Sequence, residues 1–230
     1  MHAKPDLRVF LKWLIAGSGS VITDVIVLNV RLAMFEELLL HSIENGEFDA
    51  PELTFASTQE FLIRFNHEVD DLIQLHGVND IGNAIWYMYG CLGDFARDAL
   101  DTSVADGFSQ FYESLEILYD RGFAKYCSPE SGHFNKLETA CYMMWDMDSG
   151  LEYLSFNDRP ELFTLAENLI NFGLSHRHPS VQESFLHCLG HLEYKLPEFV
   201  HDKIDTFLFR RDVTSEMREY AKTARVGAVL

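Results

Sequence analysis

The sequence predicts an all-α fold, and three observations carry the prediction. Apolar residues recur at helical spacing along most of the 230 residues. No run sustains the apolar/polar alternation with β-branched enrichment that a half-buried strand requires. The 6 prolines and 14 glycines lie mostly between the periodic segments, where they end helices.

Taken in order, Ile22, Val25, Ile26, Asn29, Ala33, Glu36, Leu40 and Ile43 keep helical register up to Glu44-Asn45-Gly46. One long helix or two stacked ones therefore fill residues 6–44, with Gly17-Ser18-Gly19 as a break. A loop over Phe48 to Thr58 contains Pro51, and Ser57 or Thr58 caps a helix running to Leu75. Its apolar positions are Leu62, Phe65, Val69, Leu72 and Ile73, and Asn79-Asp80 caps the next helix. From there one pattern returns. Ala84-x3-Met88-x2-Cys91-Leu92-Gly93 and Val181-x3-Phe185-x2-Cys188-Leu189-Gly190 share their offsets. Leu137-x3-Cys141-x2-Met144-Trp145-Asp146 is a weaker copy and Met217-x3-Ala221-x2-Ala224 a degenerate one. The starts lie 53, 44 and 36 residues apart, a repeat-sized but irregular period. An amphipathic segment precedes each copy, over 58–76, 107–120, 160–173 and 196–209. The expected organisation is a single all-helical domain, 1–230, with N-terminal helices in 1–57 and stacked antiparallel helix pairs in 58–230.

Composition narrows the function classes. At 47% apolar and 23% charged residues the chain builds a core and is not disordered. With 18 basic against 36 acidic residues, the net charge is −18 and the calculated pI about 4.8, so phosphate backbones and anionic membranes are repelled. Cys91, Cys127, Cys141 and Cys188 form no CxxC pair, which excludes a zinc ribbon or a dense disulfide framework. Val9 to Met34 is apolar, but Lys12, Asp24 and Arg31 interrupt it. Trp13 to Thr23 is its longest uncharged stretch, short of the roughly 20 residues of a membrane span, and Lys12 cuts any secretory core. A cytoplasmic location is expected.

The stretch His178-Pro179-Ser180-Val181 through Cys188-Leu189-Gly190-His191-Leu192 resembles the second helix of a HEAT repeat, with His178 and Gln182 where that pattern has aspartate and arginine. The last copy keeps Asp212, Met217-Arg218, Ala221 and Ala224 and displaces its glycine to Gly227. The resemblance covers residues 160–230 moderately, 58–148 poorly and 1–57 not at all. It implies an α-solenoid, an architecture used chiefly to bind proteins.

Cys91, Cys141 and Cys188 occupy the small-residue offset of the recurring helix, where packing explains them. Cys127 lies in the polar segment Tyr126-Cys127-Ser128-Pro129-Glu130 and is expected in an exposed, oxidisable loop. His187 and His191, at i and i+4, can share a metal ion on one helical face, with His176 and His178 close before them. His67, Glu68 and Asp71 offer a second ligand set. HEAT-like iron hydroxylases use several His-Glu pairs, and this chain has one, His67-Glu68. Gly17-Ser18-Gly19 lacks the lysine of a phosphate loop, and no GxSxG or DxDxDG occurs.

Charge distribution is the more informative feature. Residues 36–120 carry 2 basic and 18 acidic residues, against 4 and 2 before them and 12 and 16 after. Asp94, Asp98 and Asp101 form an acidic stripe that Glu68 and Asp71 extend. The function expected first is a protein-binding module without enzymatic activity or cofactor. In it Glu68, Asp71, Asp94, Asp98 and Asp101 oppose Lys and Arg of a basic partner. Small acidic helical chains of this kind resemble bacterial immunity proteins, which implies a toxin as the partner. The alternatives are a metal-dependent enzyme using His67, Glu68 and Asp71 or His187 and His191, and a general scaffold. The end at Gly227-Ala228-Val229-Leu230 carries no polar cap, so a homodimer is also expected.

Overall fold

The computed structural model describes residues 55–86, 88–89, 105–129, 135–146 and 160–229, all within one unit, Ser42–Leu230. The helices expected over 6–44, the stripe Asp94, Asp98 and Asp101, and Cys91 lie outside these residues. Among the described residues every regular element is helical and none is a strand, as the periodicity predicts. No described helix is long and apolar enough to cross a membrane.

Helix α1 spans Phe55–His76 and buries the five apolar positions expected of it, Leu62, Phe65, Val69, Leu72 and Ile73. Gly77 ends it at φ 91°, a conformation costly for any side chain, and its N–H bonds to the Ile73 carbonyl at 2.8 Å. Helix α2 (78–86) begins one residue later, so Asn79-Asp80 is not its cap. Gly77 reverses the chain alone and its carbonyl accepts the Ile81 N–H at 3.2 Å, while Asn79 Oδ1 accepts the Lys136 N–H instead.

Helix α3 (Ala105–Ile117) runs past its expected end through a π-helical segment, Leu118–Phe123, and a last α turn, Ala124–Tyr126. That turn delivers Lys125 Nζ at 2.6 Å and the Tyr126 hydroxyl at 2.6 Å to Asp70 Oδ1 of α1. The Lys125 ammonium, helped by Tyr126 and Gln74, holds the Asp70 carboxyl down at about 2. Asn66 links the same helices inside the core, donating to Ser114 Oγ at 2.9 Å and accepting from the Tyr89 hydroxyl at 2.8 Å.

Helix α4 (Lys136–Tyr142) opens with a reciprocal cap. Asn135 Oδ1 accepts the Glu138 N–H at 2.9 Å, and Glu138 accepts the Asn135 and Ser128 N–H groups at 3.1 and 2.8 Å. Glu138 thereby ties Ser128 and Asn135 to the first turn of α4. Cys127 is consequently 6% exposed, a correction to its expected exposure, and its N–H extends the helix before it by bonding to the Phe123 carbonyl. A 3-10 turn, Met143–Trp145, ends α4.

Helices α5 (Pro160–Ser175), α6 (Pro179–Leu192), α7 (Pro197–Leu208) and α8 (Ser215–Ala224) complete the described chain. Helix α6 is central and packs against α4, α5, α7 and α8. From Val181 to Gly190 every residue except Glu183 is buried, so no face of this stretch is left polar. Burying each of Val181, Phe185, Leu186 and Leu189 contributes about 1.5–3 kcal/mol. Close approach around α6 needs glycine at two points. A Cβ on Gly173 of α5 would lie 1.9 Å from the Phe185 ring, and one on Gly190 would lie 2.6 Å from Val229. Cys141 and Cys188 are buried at packing positions, as their offset predicts. Ser184 of α6 accepts from the Tyr119 hydroxyl at 2.9 Å and donates to the Cys141 carbonyl at 2.6 Å.

Candidate metal centre

Two turns of α6 and the end of α4 converge on one point. His187 and His191, one helical turn apart, share a face of α6. The 3-10 turn after α4 closes with the Asp146 N–H on the Met143 carbonyl at 3.1 Å, which sets the Asp146 carboxylate against that face. Trp145 fixes the turn by stacking on Tyr119 at 6.3 Å and packing on Phe185 at 5.1 Å. Its Nε1–H is buried with no partner among the described residues.

The three side chains meet atom to atom. Asp146 Oδ1 lies 2.9 Å from His187 Nε2 and 2.5 Å from His191 Nε2, and the two Nε2 atoms are 2.9 Å apart. The His187 side chain is fully buried, whereas those of Asp146 and His191 are 21% and 44% exposed. Behind His187, Nδ1 lies 2.7 Å from the Tyr220 hydroxyl of α8, which donates to the Tyr142 hydroxyl of α4 at 3.1 Å. With that proton committed to Tyr142, the shared hydrogen comes from Nδ1, which in the neutral tautomer leaves the Nε2 lone pair facing Asp146 and His191. Burial and the neighbouring Tyr142 push the Tyr220 hydroxyl well above its ordinary pKa, so it stays protonated.

With Asp146 as a carboxylate, hydrogen bonds do not satisfy all three edges. Both edges to its oxygen then need an N–H, which leaves the edge between the two nitrogens without an acceptor. Protonating both Nε2 atoms serves the carboxylate but sets N–H against N–H. Removing either proton sets a lone pair against the carboxylate oxygen. A cation within bonding distance of all three atoms satisfies every edge at once.

His187 and His191 were legible in the sequence, whereas Asp146, Tyr142 and Tyr220 were missed. One signal for Asp146 existed, because it replaces the glycine of the recurring helix at the position of Gly190 and Gly93. The nearby histidines do not join the cluster. His176 Nε2 lies 3.2 Å from Asp120, its Nδ1 accepts the His178 N–H, and His178 precedes α6 as its N-cap residue. The set His67, Glu68 and Asp71 is not brought together as ligands, since Glu68 pairs with Arg64 at 2.9 Å and His67 and Asp71 are exposed. Among the described residues Asp146, His187 and His191 form the one convergent group of three. A cavity of about 550 Å³ opens beyond Tyr220, lined by Pro179, Ser180, Glu183, Thr214 and Met217. The chain matches no protein family, no curated protein and no solved structure.

Proposed function

We propose that this protein is a metal-dependent helical protein, holding one divalent transition-metal ion on Asp146 Oδ1, His187 Nε2 and His191 Nε2. The single observation that carries the reading is the triangle of donor atoms, which no distribution of protons satisfies while Asp146 is a carboxylate. Two imidazoles and a carboxylate suit iron, zinc, nickel, cobalt or manganese, and three protein ligands leave coordination positions for chemistry. The Tyr220 oxygen, accepting from His187 Nδ1, supplies the second-layer contact that fixes a ligating ring and its tautomer. The scaffold is read as a HEAT-like stack, favoured by the packing of α4 on α6, α6 on α8 and α5 on α6. Titrating metal-free protein with cobalt(II) by calorimetry tests the proposal. One equivalent bound by the wild type and lost in His191→Ala is the expected result, and no binding at micromolar concentrations overturns it.

A second reading, the acidic docking surface for a basic protein, is favoured by a separate observation. On the α3 side Glu113 and Asp120 lie close enough to Glu116 that, after burial, their like charges raise its carboxyl. Glu68 and Asp71 of α1 belong to the same acidic part of the chain. In the immunity-protein form of this reading the partner is a toxin. Association with such a partner slows with added salt and slows further in Asp71→Asn. Salt-independent association rates sink it.

A further inference from the structure

We infer that Cys127 and Cys141 are an oxidisable pair, which a peroxide converts to a disulfide that fastens the end of the α3 extension to α4. The inference is independent of the metal reading and uses none of its three ligands.

The fold supplies a partner thiol that the sequence does not place beside Cys127. Cys141 follows it by 14 residues, outside any CxxC spacing. Two residues nonetheless draw the thiols together. Glu138 takes the Ser128 N–H at 2.8 Å, and Cys141 lies three residues beyond Glu138, on the same face of α4. From α6, the Ser180 hydroxyl donates to the Ser128 carbonyl at 2.9 Å, while the Ser180 carbonyl accepts from Cys141 Sγ at 3.6 Å. Cys127 ends the last turn of the α3 extension, next to Ser128, and its thiol lies within hydrogen-bonding reach of the Cys141 thiol. Both cysteines are free.

Exposure sets the order of the chemistry. Cys127 is 6% exposed and Cys141 is fully buried, so a small oxidant meets Cys127 first. Burial, and then the contact with Cys127, push the Cys141 thiol well above its ordinary range, which makes it the resolving group and not the first nucleophile. The Cys127 sulfur attacks one oxygen of hydrogen peroxide, the O–O bond breaks, and the thiol proton leaves with the departing hydroxyl as water. The Cys141 sulfur then displaces the hydroxyl of the resulting sulfenic acid, and its own proton completes a second water. Two thiols and one peroxide become one disulfide and two waters. The two sulfurs give up two electrons, which the peroxide takes. Closing this loop constrains the unfolded chain and so stabilises the folded one.

The test uses the full chain, stripped of metal by a chelator and treated with hydrogen peroxide. It is then unfolded in N-ethylmaleimide and digested with trypsin, which cuts after Lys136 between the two cysteines. The expected result is a Cys127 peptide joined to a Cys141 peptide and released by dithiothreitol, with Cys188 alkylated. The thermal midpoint of the oxidised protein should stand several degrees higher and return on reduction. Cys127 and Cys141 both alkylated, Cys127 carried on to sulfinic acid beside an alkylated Cys141, or either one joined to another cysteine overturns the pair. A linked pair with an unchanged midpoint overturns the fastening.

Discussion

Two polar clusters, one buried and one reaching solvent through His191, sit in the same helical unit and obey opposite arithmetic. Between α1 and α3, the Tyr89 hydroxyl donates to Asn66, Asn66 donates to Ser114, and Ser114 donates to the Phe111 carbonyl at 2.7 Å. The chain runs in one direction and ends on backbone, so each link has one proton and one acceptor. Around α6, Asp146, His187 and His191 close a triangle that protons alone do not balance while Asp146 is a carboxylate. A polar cluster that balances internally is a structural fastening. One that does not balance is what the proposed metal ion would complete.

The contrast is broken most directly at His191. Replacing this partly exposed ligand with alanine should weaken cobalt binding about 100-fold or more, read by calorimetry. The metal should stabilise the wild type by about 2.7 kcal/mol at a hundred times its Kd, read as a raised unfolding midpoint, and chelation should remove the gain. Asn66→Ala acts on the other cluster. It leaves Tyr89 and Ser114 without their shared partner and should cost about 1–3 kcal/mol in urea unfolding, with cobalt affinity unchanged. If Asn66→Ala weakened metal binding as much as His191→Ala does, the division between the clusters would fail.

Tyr220→Phe sharpens the comparison. Loss of the oxygen that orients His187 should reduce cobalt affinity about tenfold in the same titration, while one equivalent still binds. The smallest expected effect is at Asp70. Its carboxyl titrates at about 2, below its ordinary value of 3.8, because Lys125 stabilises the charged form. The interaction is fully present above about pH 4 and is lost as pH falls through 2. Lys125→Ala should therefore flatten the fall in thermal midpoint between pH 4 and 2 and leave metal binding intact.

Much of this architecture is legible because periodicity is a local property. Leu62, Phe65, Val69, Leu72 and Ile73 declare the buried face of α1 without reference to any other element. Expectations failed where one contact from elsewhere decided the outcome. Asn79 reads as a cap until Gly77 begins the helix and Lys136 takes its side chain. Cys127 reads as exposed until Glu138 takes the N–H of its neighbour Ser128, ten residues away. The site divides in the same way. The spacing of His187 and His191 is a property of one helix, but Asp146 lies 41 residues from His187 and meets it only because α4 packs on α6. The five-residue acidic set was legible as charge alone, and charge does not specify what faces what.

The π-helical segment Leu118–Phe123 has a consequence for how this chain tolerates change in length. A helix rotates about 100° per residue. Excising a single residue from the segment would turn everything after it by that angle, carrying Lys125 and Tyr126 off Asp70. Substitutions there alter a surface, whereas a deletion alters aim, so the segment behaves as a reading frame for the clamp that follows it.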